Sequence, residues 1–291
     1  MTEPDNKTER GTILVTGATG NVGRHVVSLL TEAGFALCAL SRNPDTAGLP
    51  DGVEVLRGDL TDPDSLDAAL EGVTSVFLLW PFFTTEGAAP VADAIAKHAH
   101  RVVYLSALSV QDGREPAENG VWGGIEDLIQ RSGVAWTFLR AGGFATNTLG
   151  WAEQIQTGGV VRAPYGGAAR SLIHEADIAA VAARVLTEEG HAGKSYMLTG
   201  PNVVTQVEQV RIIGDAIGRT LRFEEQAPHQ AREQMIAAWG NPDFVDSALE
   251  HWARIVTEPE PVTNTVQDVT GRQARTFREW ARDHAADFRT S

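Results

Sequence analysis

Three glycines stand at three-residue spacing near the start of the chain, Gly17, Gly20 and Gly23, within Thr12-Ile-Leu-Val-Thr-Gly-Ala-Thr-Gly-Asn-Val-Gly. They follow an apolar run and open a helical pattern, and in that context each has its own use. Gly17 permits a tight turn, Gly20 lets backbone approach a pyrophosphate, and Gly23 lets the helix pack close to the strand. With Thr19, Asn21 and Val22 completing the turn, the free N–H groups and dipole of the helix start would hold the negative charge. The chemistry expected is dinucleotide binding. A second set closes the next apolar run, Ala39-Leu-Ser-Arg-Asn-Pro. A carboxylate there would take a ribose 2′-hydroxyl. Arg42, 19 residues past Gly23, and Asn43 suit a 2′-phosphate instead, because a guanidinium meets phosphate oxygens two at a time. The expected cofactor is NADP(H); a solvated surface arginine is the alternative use of Arg42.

These residues need a scaffold, and the pattern supplies one. Strands are expected at Thr12–Thr16, Phe35–Leu40, Val53–Arg57, Ser75–Trp80, Arg101–Leu105 and Val134–Leu139, mostly apolar throughout as strands covered on both faces are. Helices are expected between them, at Val22–Glu32, Pro63–Leu70, Ala88–His98 and Trp122–Arg131. Such alternation specifies a Rossmann-type, doubly wound parallel α/β sheet. After Ala141 the rhythm changes to helices at Thr146–Gln156, Glu175–Glu188, Gln206–Ile217, Ala227–Trp239, Asp243–Val256 and Gly271–Asp287, with short strands near Ser195–Leu198 and Thr220–Glu225. The expected organisation is a frayed tail at 1–10, a cofactor-binding domain at 11–150 whose sheet is completed by later segments, and an interleaved, mostly helical substrate lobe at 151–291.

Bulk properties narrow the function classes. A formal net charge of −14 opposes a nucleic-acid partner, which needs a basic face. No apolar stretch reaches membrane-spanning length, and the polar start has no apolar signal core, so a cytoplasmic monomer or homodimer is expected. Cys38 is the only cysteine and lies in an apolar run, where a buried, inert thiol is expected. The histidines show no metal-ligand spacing, so no metal site is expected.

The glycine turn and the Ser41-Arg-Asn-Pro corner resemble the short-chain dehydrogenase/reductase superfamily in its atypical NmrA-like branch, and the likeness runs along nearly the whole chain. Gly58-Asp-Leu-Thr-Asp resembles the branch's adenine-side turn, which implies that Asp59 and Leu60 flank the base. Phe138-Leu-Arg-Ala-Gly-Gly-Phe-Ala-Thr-Asn is similar to its nicotinamide-side segment and implies cofactor contacts from Gly142, Gly143 and Phe144. Ile173-His-Glu-Ala-Asp-Ile-Ala and Thr270-Gly-Arg-Gln-Ala-Arg-Thr-Phe-Arg-Glu-Trp are also family-like. Active members usually carry a hydroxyl residue after the fifth strand and a Tyr-x-x-x-Lys on the next helix. Here those positions hold Ala107, Glu118 and Trp122, with Ser106 and Ser109 the nearby hydroxyls. The usual Ser-Tyr-Lys proton donor is therefore expected to be absent.

Hydride transfer does not end with that loss, since the cofactor carries the hydride and the substrate or water can bring the proton. Aromatic residues stand where a flat substrate would lie. Leu79 and Trp80 close the fourth strand at the carboxyl edge and are expected on the cofactor side, with Phe82 after them. Trp122, Phe144, Asn147, Trp151 and Tyr165 complete the expected substrate set beside Trp80, Phe82 and Ser106; interlobe packing is the alternative use of each aromatic. The expectation is an NADPH-dependent reductase of a ketone or quinone on a polycyclic aromatic substrate. Likeness to actinobacterial aromatic-polyketide (angucyclinone-type) ketoreductases adds a setting in antibiotic biosynthesis. The alternative is an NADP(H)-binding redox sensor that turns nothing over, as in NmrA-type regulators.

Overall fold

Short apolar runs become strands, and the amphipathic segments between them become helices. The computed structural model describes residues 11–290, and the tail expected at residues 1–10 lies outside the described residues. In chain order the elements are β1 (Thr12–Val15), α1 (Asn21–Glu32), β2 (Ala36–Ser41), β3 (Glu54–Arg57), α2 (Pro63–Ala69), β4 (Val73–Leu78), α3 (Ala88–His98), β5 (Arg101–Ala107), α4 (Gly120–Ser132) and β6 (Ala135–Ala141). Then follow α5 (Ala152–Gly158), β7 (Val160–Ala163), β8 (Ala169–Arg170), α6 (Glu175–Thr187), β9 (Lys194–Leu198), β10 (Val204–Thr205), α7 (Gln206–Ile217) and β11 (Arg222–Glu225). The chain closes with α8 (Pro228–Trp239), α9 (Pro242–Arg254), α10 (Thr265–Thr270) and α11 (Phe277–Asp283). No helix among the described residues is long and apolar enough to cross a membrane.

Two compact units divide the described residues. The first comprises 11–141, 175–198 and 265–272; the second comprises 142–174, 199–264 and 273–290. Beside the expected ranges 11–150 and 151–291, the first unit closes at Ala141 and takes in α6, β9 and α10 from later in the chain.

The first unit holds a seven-stranded sheet in the order β3-β2-β1-β4-β5-β6-β9, every neighbouring pair parallel. Parallel pairing sends every connection back across a face of the sheet, as a Rossmann fold requires. Helices α1 and α6 pack together, as do α2 with α3 and α3 with α4. The core joins Leu14, Val76, Leu78, Tyr104, Ile125, Ile129 and Phe138. Cys38 lies within it at 2% exposure, and burial pushes its thiol up to about 12. That keeps the sulfur protonated and inert, as expected.

The second unit is built around Ile155, Val161, Leu172, Val210, Ile213, Phe277 and Trp280, with two small sheets, antiparallel β10-β8 and parallel β11-β7. Two expected helices are corrected. The helix expected at Gly271–Asp287 starts late: Gly271, at a left-handed φ of 73°, ends the preceding α10, and residues 271–276 are not helical. A capping box between Thr276 and Glu279 then starts α11 afresh. The helix expected at Thr146–Gln156 is a 3-10 segment, Ala145–Trp151, that runs into α5.

One buried ion pair locks α4 to the sheet. Arg140 on β6 donates from Nε and Nη2 to the Glu126 carboxylate on α4, at 3.0 and 2.7 Å, and both side chains are under a tenth exposed. Arg140 also donates from Nη1 to Asp112 at 2.8 Å, but that carboxylate is 85% exposed. Removing one partner of an enclosed pair strands the other charge, which costs about 3–5 kcal/mol, whereas exposed pairs contribute about 1 kcal/mol or less. In urea unfolding, Arg140→Met should therefore lose about 3–5 kcal/mol and Asp112→Asn under about 1 kcal/mol. Combining Arg140→Met with Glu126→Leu should recover most of the loss; a double variant as unstable as the single would contradict the stranded charge.

Candidate functional site

The glycine turn joins β1 to α1. Gly17 takes a left-handed φ of 63°, and a Cβ there would press on Leu79 after β4 at 3.3 Å. A Cβ on Gly23 would overlap the Gly17 carbonyl, so α1 approaches β1 this closely only with glycine at that position. Thr16, 1% exposed, accepts the Leu79 N–H at 2.8 Å and so ties the turn to the end of β4. Gly20 is the N-cap of α1, no side chain caps the helix, and its first turn carries no acidic residue. Thr19, Gly20 and Asn21 are exposed, while Val22 and Gly23 are buried. A helix start left open in this way presents unpaired N–H groups and positive dipole to an anion. Arg24 steadies the turn by donating from Nε to the Thr19 carbonyl at 2.7 Å.

The end of β2 lies beside the end of β3. Arg42 and Asn43 are exposed there, and the Arg42 guanidinium makes no ion pair or hydrogen bond among the described residues. Arg57, in register with Ser41, donates to the Arg42 carbonyl at 3.0 Å and adds a second cation to the same corner. Sequence reasoning missed Arg57; its place at a strand end was visible, but its neighbour across the ladder was not. Asp59 folds back on its own loop. Its Oδ1 accepts from the N–H and hydroxyl of Thr61, each at 2.9 Å, and these bonds, with a smaller pull from Arg42, hold the carboxyl below its usual range. Leu60 is buried in the core.

After β4, Trp80 is 8% exposed and belongs to the core; its indole N–H donates to the Thr84 carbonyl at 2.8 Å, and Phe82 packs edge-on at 5.0 Å. A Cβ on Gly124 would sit 2.8 Å from the Thr85 methyl, so this glycine lets the loop after β4 lie against α4. Trp122, in the first turn of α4, is half-buried against the core. Ala107 ends β5, Glu118 lies exposed in the 3-10 turn before α4, and α4 contains neither tyrosine nor lysine. Ser106 is 4% exposed, and its hydroxyl donates to Glu126 Oε1 at 2.6 Å, which commits its proton to that carboxylate. The Tyr104 hydroxyl is buried without a partner, and burial first, then the Glu126 charge, pushes its pKa up.

The second unit carries the other expected residues. Gly142, Gly143 and Phe144 are half-buried, and Phe144 bridges to Ile173 in parallel. Asn147 is exposed on the 3-10 segment, and Trp151 packs against the second core. Tyr165 is half-buried with a left-handed φ of 60°, strained for a residue with a side chain. Glu225 holds that turn by accepting the N–H groups of Tyr165 and Gly166 at 2.6 and 2.9 Å, and Gln206 donates to the Tyr165 carbonyl at 3.0 Å.

A charged cluster missed by sequence reasoning lies in the same unit. Glu260, 4% exposed at its side chain, accepts from Arg170 Nε at 3.2 Å, His251 Nε2 at 2.9 Å and the Ser171 N–H at 3.0 Å. Arg254, which can only donate, meets His251 Nδ1 at 3.1 Å, so the ring carries its proton on Nε2. Burial alone would raise the Glu260 pKa; the His251 hydrogen bond, the Arg170 charge and the Ser171 N–H outweigh it and hold the carboxyl below its usual range. A depressed carboxyl stabilises the fold above its unfolded pKa, about 4.3, and loses that contribution as pH falls through the folded value. The stability gap between wild type and Glu260→Gln should be widest above about pH 5 and narrow on acidification; a gap independent of pH would rule this out.

Comparison with known proteins adds four likenesses. A family model described as the NmrA-like family matches residues 9–282. The (4-alkanoyl-5-oxo-2,5-dihydrofuran-3-yl)methyl phosphate reductase of Streptomyces griseus is 40% identical over 286 residues, covering 95% of this chain and 99% of its own. The NAD(P)H azoreductase of Xenophilus azovorans is 36% identical over 286 residues, with the same coverage of 95% and 99%. Among solved structures, an NADPH-dependent quinone oxidoreductase of Escherichia coli superposes with a TM-score of 0.76 at 26% identity, covering 92% of this chain and 98% of that one.

Proposed function

The chain belongs to the NmrA-like family, and we propose that it is an NADPH-dependent reductase acting on a ketone or quinone of a polycyclic aromatic compound. One observation carries the cofactor: the uncapped, acid-free start of α1 stands at the same sheet edge as the exposed Arg42 and Arg57. The turn N–H groups take the pyrophosphate, and the two guanidiniums with Asn43 take the 2′-phosphate. Asp59 and Leu60 flank the adenine, and Leu79 lies by the turn. Relatives named for reducing an oxodihydrofuran phosphate, an azo compound and a quinone support a conjugated acceptor.

Bound NADPH supplies a hydride to the carbonyl carbon. The C=O electron pair then moves onto the oxygen, which must be protonated. In this chain Ala107, Glu118 and Trp122 stand where the family usually places its donor set, and the Ser106 proton is engaged by Glu126. The proton comes from a phenol of the substrate next to the carbonyl, or from water. Phe82 and Trp122 in the first unit offer apolar surface to a flat ring system.

Purified protein should oxidise NADPH in the presence of hydroxylated naphthoquinones or aromatic ketones, followed by the loss of reduced-nicotinamide absorbance. No oxidation with any of them would refute the reading. Charge-assisted hydrogen bonds contribute about 1.5–3 kcal/mol, so Arg42→Asp should raise KM for NADPH at least about tenfold. Its KM for NADH should change little; equal weakening would remove Arg42 from the 2′-phosphate site.

A further inference from the structure

Three aromatic side chains follow β4, Trp80, Phe82 and Phe83, and the fold treats them unequally. Trp80 belongs to the core of the first unit, and Phe82 packs edge-on against it at 5.0 Å. Phe83 is 51% exposed, more than any other large apolar side chain among the described residues. A lone exposed phenylalanine is ordinary on a protein surface. This one stands on a loop whose shape is fixed at several points. The Trp80 indole N–H donates to the Thr84 carbonyl at 2.8 Å, which closes the chain over Pro81, Phe82 and Phe83. The Thr84 hydroxyl accepts the Glu86 N–H at 3.1 Å, and the Ala88 N–H, where α3 begins, donates to the Thr85 carbonyl at 3.1 Å. With Trp80 and Phe82 drawn onto the core, the closed loop leaves Phe83 outside.

This loop is anchored at the cofactor edge on both sides. Leu79, immediately before it, gives its N–H to Thr16 at 2.8 Å and borders Gly17 of the glycine turn. Thr85, two residues past Phe83, lies against Gly124 of α4, itself two residues past Trp122. Phe83 is therefore carried on the segment that joins the glycine turn to the first turns of α4, within the first unit alone. Resting on the reading of a flat, conjugated acceptor at this edge, we propose that Phe83 is the residue on which the substrate stacks, and that it sets a preference for acceptors of several fused rings. Aromatic faces attract beyond the area they bury, and a loop ordered in advance loses little freedom when a ligand settles on it. A single ring covers less of the phenylalanine face than a fused system does, so the gain rises with ring count. Phe83 takes no part in moving hydride or proton. Its contribution is to binding.

The test uses the full chain with NADP+ in place, so that binding is read without hydride transfer. Tryptophan fluorescence is titrated with phenanthrenequinone, a fused three-ring compound, and with duroquinone, a single ring; neither carries charge. Wild type should bind phenanthrenequinone at least about tenfold tighter than duroquinone. Phe83→Ala should cut that ratio about tenfold while NADPH affinity and the thermal midpoint hold, and Phe83→Tyr, which keeps the ring face, should retain it. Phe83→Leu, which keeps bulk without a ring, should lose most of the ratio and carries the test if the alanine variant does not fold. In anaerobic turnover, Phe83→Ala should raise KM for phenanthrenequinone about tenfold at constant kcat. An equal ratio in wild type and Phe83→Ala, no preference in wild type, or a fall in kcat at constant KM overturns the proposal. A preference that depends on Phe83 without turnover of either quinone leaves Phe83 standing and removes the reductase reading instead.

Discussion

All seven strands of the first unit run parallel, and this constraint brings every strand's carboxyl end to one edge of the sheet. The glycine turn after β1, Arg42 after β2, Arg57 at the end of β3, Leu79 after β4 and Ala107 at the end of β5 share that edge for no other reason. Chain reversal through helices then places the open start of α1 among them, since a helix that returns antiparallel to its strand begins where the strand ends. The anion-binding potential of this edge is backbone chemistry. It explains how a chain with a net charge of −14 offers a phosphate site without a basic face.

Buried charge is used in two ways. Between β6 and α4, the Arg140–Glu126 pair is closed on itself and also captures the Ser106 hydroxyl. That arrangement spends the hydroxyl beside Ala107 on holding a helix. In the second unit, Glu260 takes Arg170 and His251 on Oε1 and the Ser171 N–H on Oε2. Arg140 is buried and meets carboxylates from three nitrogens, whereas the more exposed Arg170 meets one from Nε alone.

Strain marks the second unit at Tyr165. A left-handed backbone at a bulky residue persists only when its surroundings over-determine it, and here Glu225 and Gln206 hold the turn on both its N–H and carbonyl sides.

Local signals in the sequence determined most of the first unit. Strict apolar runs, the G-x-x-G-x-x-G spacing and the Ala88–His98 helix are properties of neighbouring residues, and they stand within a residue or two of where the pattern puts them. Where a local signal was overridden, a single glycine decided it: Gly271, expected to open a helix, takes a left-handed φ and ends α10 instead. The short strands β7, β8 and β10 were not legible, because two to four residues carry no periodicity and their identity comes from a partner elsewhere in the chain. Only tertiary structure decided the charge partners. Arg57 beside Arg42, Ser106 with Glu126, and Arg170 between Glu260 and Gly143 pair residues 15 to 90 positions apart. The glycine turn announces that a dinucleotide fits, because its signal lies in adjacent backbone. Which side chains keep free donors for a ligand depends on the packing around them, and that is settled only when the chain has folded.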